Sequence, residues 1–438
     1  MRNPLRWPSH IQILVALISG AAVGPLLAGE QGLIGPALGE GLAQVGQLFL
    51  SALKMLVIPL IMASIIAGLN QEGSRSPLGR MGWTTLVFYI ATGLIAVTVA
   101  IVLANWIRPG ELNGVPLAAQ IGLQTLPGDL DPTLLSGQQH IALFLQRLVP
   151  SNLVEAAVEG QLLGLILFSL LFGLALRRLH GAAAETQVRF WTGLNQVMLA
   201  ITDGIMRLAP VGIFALIAAM TARTGFSAAG PLLWFMATVM AGLLIHLMVT
   251  LPLLLRWIAR VPPRRHFQAM MPALLMAFST SSSAATLPVT MDCLERRAGV
   301  SRRTAGFVLP LGATVNMDGT ALFECVVVLF VAQLYGIDLT LAQQALVLAV
   351  ALLTSFGVAG IPSASLVSIA MILSVLGLPL EALGLVLGVD RILDMSRTAV
   401  NVFGDTVGAV VVARLEGEQE ILIESPDVRE HRLREQGD

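Results

Sequence analysis

The sequence predicts an all-α membrane protein, with eight transmembrane helices and two re-entrant helical hairpins arranged as inverted repeats. Three observations point there. The 438 residues are 55% hydrophobic and 12% charged, with a mean hydropathy of +0.80; a soluble domain carries about twice that charge. Apolar runs of about 18 residues or more recur along the chain. Aromatics make up 5%, and long Leu/Ala/Val/Gly runs replace period-two alternation, so the spans read as helices rather than barrel strands. The net charge of −1 offers nothing to a nucleic acid. Cys293 and Cys325 match no metal or redox spacing and read as structural.

In chain order the apolar segments are 11–28, 42–69, 84–106, 141–176, 192–220, 231–257, 268–292, 304–334, 343–378 and 381–413. The first follows basic residues and resembles a signal peptide, but its length and the spans behind it favour a first membrane helix. The Pro-, Gly- and Asp-rich stretch 107–140 is the longest loop, and the charged tail 415–438 is expected to be loosely ordered.

Arginines set the orientation. With the N-terminus inside, the inside segments carry Arg2 and Arg6, Arg75 and Arg80, the 177–189 and 256–265 groups, the 296–303 group and the tail arginines, while Arg108 and Arg223 fall outside. Both termini are then cytoplasmic in an inner or plasma membrane. Segment 268–292 has arginines on both flanks, so it must enter and return, with Ser279–Pro288 as its tip. Segment 343–378 lacks basic flanks, and its centre, Thr354-Ser-Phe-Gly357-Val-Ala-Gly360-Ile-Pro362-Ser-Ala-Ser365, breaks a helix in the same way. Irregular backbone at membrane depth is tolerated only inside protein or beside a cavity. Each broken hairpin is followed by a helix with polar intrusions, and paired interruptions of this kind point to the binding site of a secondary transporter.

The last span holds the strongest signal. At about 100° per residue, Asp390, Asp394, Arg397, Thr398, Asn401 and Asp405 share an arc of roughly 100°. Against lipid such a stripe would cost roughly 10 kcal/mol by insertion scales, so it must face protein or water. Arg397 offers a fork for a carboxylate and Asp394 a partner for an ammonium, as an acidic amino acid requires; the alternative is an internal Asp394–Arg397 pair at i,i+3. In 304–334 the run Gly312-Ala-Thr314-Val-Asn316-Met317-Asp318-Gly319-Thr320 supplies hard oxygen ligands suited to Na⁺. The alternative there is a kink whose polar groups bond to backbone.

The run 279–290 (STSSSAATLPVT), the NMDGTAL run 316–322, the Gly-Ile-Pro at 360–362 and the DxxRTxVNxxGD run 394–405 together resemble the dicarboxylate/amino acid:cation symporter family, which includes glutamate transporters. Leu53–Pro59 and Tyr89-x-x-Thr92 extend the match over nearly the whole chain. The resemblance implies a homotrimer working by an elevator mechanism. A scaffold of 1–70 and 138–222 would stay still, while a transport unit of 80–108 and 230–414 would slide; 415–438 would be a cytoplasmic tail. It implies substrate contacts at Ser282, Ser283, Thr320, Ile361, Ser365, Asp394, Arg397, Thr398 and Asn401. It implies sodium sites at Gly312, Asn316, Asn401 and Asp405; at Thr314, Met317, Ser355, Phe356 and Val358; and at Tyr89, Thr92, Asn316 and Asp318. Glu324 stands where proton- or potassium-coupled members carry an acid. Departures are Gly93 for a common Ser, Ser365 for a Gly, and Ser281 for an archaeal Arg.

The resulting expectation is sodium-coupled import of aspartate or glutamate, with no covalent cofactor and no enzymatic activity. The alternatives within the fold are a proton-coupled or mixed-ion C4-dicarboxylate carrier and a neutral amino acid carrier, although a neutral cargo would not need Arg397. An intramembrane serine hydrolase on Ser281–Ser283 lacks a general base, since none of the six histidines has an evident place beside that tip. An ion channel would not need a charge pair shaped for a zwitterion.

Overall fold

A computed structural model describes residues 9–27, 36–70, 80–112, 114–118, 149–158, 162–224, 229–355, 365–379, 382–426, 428, 429 and 432. Its helices are α1 (Ser9–Val23), α2 (Pro36–Leu69), α3 (Arg80–Ile107), α4 (Leu153–Val158), α5 (Leu162–Arg178), α6 (Ala182–Met206), α7 (Ala209–Thr224), α8 (Ala229–Ile245), α9 (Pro263–Thr280), α10 (Ser283–Asp292), α11 (Arg302–Val315), α12 (Asp318–Leu334), α13 (Leu341–Ser355), α14 (Ser365–Leu376) and α15 (Leu383–Leu415). The strands β1 (Glu111–Leu112) and β2 (Val115–Pro116) pair antiparallel beyond α3. The described residues contain four helical stretches long and apolar enough to cross a membrane: Arg80–Ile107, Gly230–Ala259, Arg302–Leu334 and Val389–Leu415.

Two helix groups are evident. Helices α1, α2, α5, α6 and α7 pack chiefly on one another, and α3 with α8–α15 form the second group. The groups meet where α1 and α7 touch α15 and where Ile65 and Leu165 join the second group's core. That second group holds two apolar cores. One surrounds α12 with residues from α3, α8, α13, α14 and the first half of α15. The other joins α9, α10, α11 and the second half of α15 to Phe88, Tyr89 and Leu251. Every residue of α12 is buried, as expected of a helix that is apolar all round and enclosed on every side.

Helix breaks have local causes. α8 continues to Ala259 through two five-residue π-helical turns, His246–Thr250 and Leu255–Ala259. Pro252 explains the first: it has no N–H for the carbonyl four residues back, and Leu251 N–H bonds to His246 O instead. α9 and α10 fold against each other across Ser281, in left-handed backbone (φ 52°), and Ser282, which is extended and caps α10 by accepting from Ala285 N–H at 3.2 Å. The turn thus sits at the start of the stretch expected as a tip. The expected single spans 141–176 and 192–220 are corrected. The first is irregular at 149–152, ahead of α4, and the second is broken at Arg207–Leu208 because Pro210 starts a new helix.

A second correction concerns the tail. Residues 416–424 are docked rather than loose. Ile421 and Leu422 are buried, Leu422 N–H bonds Ala298 O at 2.9 Å, and Arg265 reaches the carbonyls of Leu422 and Ile423. Glu418 accepts from Ser301 N at 2.8 Å and from the Ser301 and Thr304 hydroxyls at 2.6 Å, capping α11. Gly299 permits the docking, since it takes φ +82° and a Cβ there would lie 2.8 Å from Glu420 O. At the opposite end Arg108 binds Glu111 and, at 2.7 Å, Asp338. Those two carboxylates raise its pKa further above its ordinary range, Glu111 foremost.

Trp83 and Trp106 bracket α3, and Trp234 and Trp257 bracket the α8 stretch, each pair 23 positions apart in sequence. All four are exposed. Twenty-three residues of helix rise about 35 Å, the separation expected of aromatic belts at two bilayer interfaces.

Docking of the tail makes a testable contrast. Leu422→Ala should lower stability by about 2–4 kcal/mol, and Ile423→Ala, at a 63% exposed position, by under about 0.5 kcal/mol. Thermal unfolding in detergent reads the difference; equal shifts would mean that the tail carries no packing load.

Candidate functional site

The polar residues singled out in the sequence lie where the two cores meet. α11 ends at Val315 and α12 starts at Asp318, with Asn316 and Met317 in non-helical backbone between them. A broken helix presents unpaired carbonyls at one end and unpaired N–H groups at the other, and α15 supplies an acceptor for one of the N–H groups and partners for the side chains at the break. Asn316 Nδ2 donates to Asp405 Oδ1 at 2.9 Å. Gly319 N–H donates to Asn401 Oδ1 at 2.8 Å, and Asn401 Nδ2 reaches Thr320 Oγ1 at 3.1 Å. Met317 is buried, with its sulfur 3.9 Å from Thr320 Oγ1.

Gly312, one turn before the break, permits a close convergence. A Cβ there would lie 2.6 Å from both Tyr89 OH and Asp405 Oδ1. Tyr89 OH donates to Val308 O at 3.0 Å. Asp318 has Thr92 Oγ1 3.3 Å from Oδ1 and His246 Nε2 3.3 Å from Oδ2. Asn316 Oδ1 is buried without a hydrogen-bond partner among the described residues. A hard-oxygen set of Asn316, Asp318, Asp405 and Tyr89 around a glycine, with an orphaned amide oxygen, fits a small hard cation as cargo.

The charged stripe of α15 is buried as the arc predicts; Asp390, Asp394, Arg397, Thr398, Asn401 and Asp405 are each at most 5% exposed. Arg397 donates to Asp394 Oδ1 through Nη2 at 2.7 Å and Nε at 3.1 Å, and to Asp390 Oδ1 through Nη1 at 3.3 Å. Its guanidinium lies 4.4 Å from the centre of the Phe323 ring. Arg391 stands 3.6 Å from Asp394 Oδ2. The internal pair raised as an alternative therefore exists, extended to Asp390. Thr398 turns its hydroxyl to the Asp394 carbonyl at 2.7 Å.

Other expected site residues have these places. Ser282 serves as the α10 cap, and Ser283 is buried at the start of that helix. Ser365 begins α14, its buried Oγ without a partner among the described residues. Glu324, fully buried on α12, accepts from Thr354 of α13 at 2.9 Å, and its Oε1 has no partner among the described residues. Thr314 stands on α11 and Ser355 ends α13. Ile361, Phe356 and Val358 lie outside the described residues. The sequence reading missed His246. Its signal was an isolated ionisable residue inside an otherwise apolar span.

A model of the sodium:dicarboxylate symporter family matches residues 10–415. The chain belongs to that family. It is 32% identical to a proton/sodium-glutamate symport protein of Geobacillus stearothermophilus, over 93% of this chain and 94% of the relative. It is 33% identical to a proton/glutamate-aspartate symporter of Escherichia coli K12, over 92% of each. Identity with a bovine neutral amino acid transporter B(0) is 36%, over 90% of this chain and 78% of the relative. The protein is therefore a membrane-embedded transporter and not an enzyme, which removes the hydrolase reading.

Crowding at the helix break gives a paired test. Gly312→Ala must push Tyr89 or Asp405 aside and should cost about 1–3 kcal/mol of stability. Gly306→Ala on the same helix meets nothing within 4 Å and should be neutral or stabilising by up to about 1 kcal/mol. Thermal unfolding of the two variants reads the contrast, and equal losses would place the crowding elsewhere.

Proposed function

We propose that this transporter is a secondary active symporter that imports aspartate or glutamate together with sodium ions. The observation that carries the reading is a charge imbalance. Among the described buried residues Asp318, Glu324, Asp390, Asp394 and Asp405 stand against the single buried arginine, Arg397, with Arg391 at the rim. Unpaired carboxylates do not persist in a low-dielectric interior; cations or protons must join them. The Asn316–Asp405 and Asp318 groups offer oxygen ligands and, among the described residues, pair with no arginine or lysine, so they are the cation side of the site. Arg397 and Asp394 are the substrate side. Arg397 uses three of its five N–H donors on Asp394 and Asp390, which leaves donors for an acidic side chain, and Asp394 suits an α-ammonium.

Substrate contacts are assigned to Ser282, Ser283, Thr320, Ile361, Ser365, Asp394, Arg397, Thr398 and Asn401, and the sodium ligands to the three sets named above. Glu324 makes proton or potassium coupling the second reading, favoured by its complete burial and unpartnered Oε1; the relatives' proton/sodium and proton coupling is in keeping with it. The sliding unit is taken as 80–108 with 230–414, the scaffold as 1–70 with 138–222, and the assembly as a homotrimer with both termini cytoplasmic. Support for that division comes from the two helix groups and their limited meeting surface. The α9–α10 and α13–α14 pairs act as re-entrant hairpins over the site.

Purified protein in liposomes tests the whole reading, with labelled aspartate, glutamate, succinate and alanine supplied under separate Na⁺, H⁺ and K⁺ gradients. Aspartate or glutamate should accumulate under an inward Na⁺ gradient, and no acid uptake under any gradient would overturn the reading. Arg397→Cys should reduce acidic amino acid uptake by about tenfold or more, the value of a lost charge-assisted bond, and improve neutral amino acid uptake. Unchanged aspartate uptake in that variant would remove Arg397 from the substrate site.

A further inference from the structure

We propose that His246 is a positioning residue for cation coupling, holding the Asp318 carboxylate in the orientation that a bound ion needs. The inference rests on the sodium-coupled reading above and adds to it a residue from a helix that supplies none of the assigned ligands.

The geometry carries the argument. His246 is the only ionisable side chain between Ala229 and Leu255, and it is fully buried. It opens the first π-helical turn of the α8 stretch. A π turn inserts one extra residue and rotates the side chains beyond it, a device that recurs at functional sites. His246, the first residue of that turn, lies with Nε2 3.3 Å from Asp318 Oδ2. A carboxylate only accepts, so Nε2 carries the proton.

The other neighbour of Asp318 is a weaker hold. Thr92 Oγ1 lies 3.3 Å from Asp318 Oδ1, but it is also 3.1 Å from the carbonyls of Phe88 and Tyr89. One hydroxyl proton cannot serve three acceptors. Asn316 directs one amide N–H to Asp405 and, among the described residues, bonds no atom of Asp318. His246 is thus the donor with a single acceptor in reach, and Gly93, across from Asp318 Oδ1, brings no hydroxyl of its own. Groups that orient a ligating carboxylate typically change ion affinity 10- to 100-fold when removed.

The test measures thermal unfolding of the purified full-length protein against NaCl, with choline chloride holding ionic strength constant. Wild type is compared with His246→Gln, His246→Asn and His246→Leu. A glutamine amide reaches the Nε2 position, and an asparagine amide reaches only the Nδ1 position. The sodium concentration for half-maximal stabilisation should rise about tenfold in the Asn and Leu variants and stay within about twofold of wild type in Gln. The half-saturating sodium of liposome uptake should move in parallel, with maximal velocity retained. A Leu variant that does not fold leaves the Gln–Asn comparison to decide. Asn matching wild type, or Gln failing as badly as Asn, would overturn the proposal and leave His246 a packing residue. A wild type with no sodium-specific response would instead sink sodium coupling itself, and the proposal with it.

Discussion

Buried carboxylate in excess of buried cation is the constraint on which this structure depends. Lipid cannot solvate Asp318, Asp390, Asp394, Asp405 and Glu324, and water is excluded by two apolar cores. Arg397 answers Asp390 and Asp394 through a fork that suits two acids on one helix face. Among the described residues, Asp405 and Asp318 meet side-chain donors of Asn316, Thr92 and His246 and no arginine or lysine. Such donors ease desolvation without cancelling charge. On the proposed reading, this part of the interior is unfinished until a cation joins it.

That unfinished layer needs rigid walls. A helix break within a membrane core would expose backbone groups to a medium that cannot bond them. The Asn316–Met317 break is tolerated because α15 closes it with Asn401 and Asp405, and because α12 is enclosed along its whole length. The two cores then act on α15 from opposite ends. Apolar residues from Leu383 to Val400 pack in one and from Val402 to Ala413 in the other, so the polar residues interleaved with them have little freedom to turn away. At the first turns of α9 and α11, the tail adds a strap through Glu418, Arg265 and Leu422, which holds the base of the α9–α10 pair while its Ser281 turn lies at the far end.

Much of this was legible from residue order. The charged arc of 390–405 required a buried face, and the Gly312–Thr320 run offered oxygen ligands or, as the alternative, a kink. What the sequence hid were features whose meaning depends on a neighbour far along the chain. His246 looks like an isolated histidine until Asp318, 72 positions later, is placed beside it. Ile421, Leu422 and Ile423 are three apolar residues in a charged run, too few to form a periodic signal, and the Arg265 and Ala298 partners give the buried first two a seat. The break at Arg207–Leu208 had a local cause in Pro210, but continuous hydrophobicity masked it.

The internal Arg397 pair and the substrate reading are compatible, and the reason is electrostatic. If Arg397 met no acid inside the protein, its burial would be prohibitive before any cargo arrived. Asp390 and Asp394 make the guanidinium tolerable, and the five-donor fork keeps capacity for a third carboxylate. An acidic amino acid brings one net negative charge into a layer already rich in carboxylate, so its entry raises the very imbalance that the site contains. Cations entering with it reverse that change. In the proposed symport, coupling would then follow from neutralisation: cargo alone would worsen the interior charge, ions alone would satisfy only the Asp318–Asp405 side, and the two together would leave a layer that apolar walls can enclose.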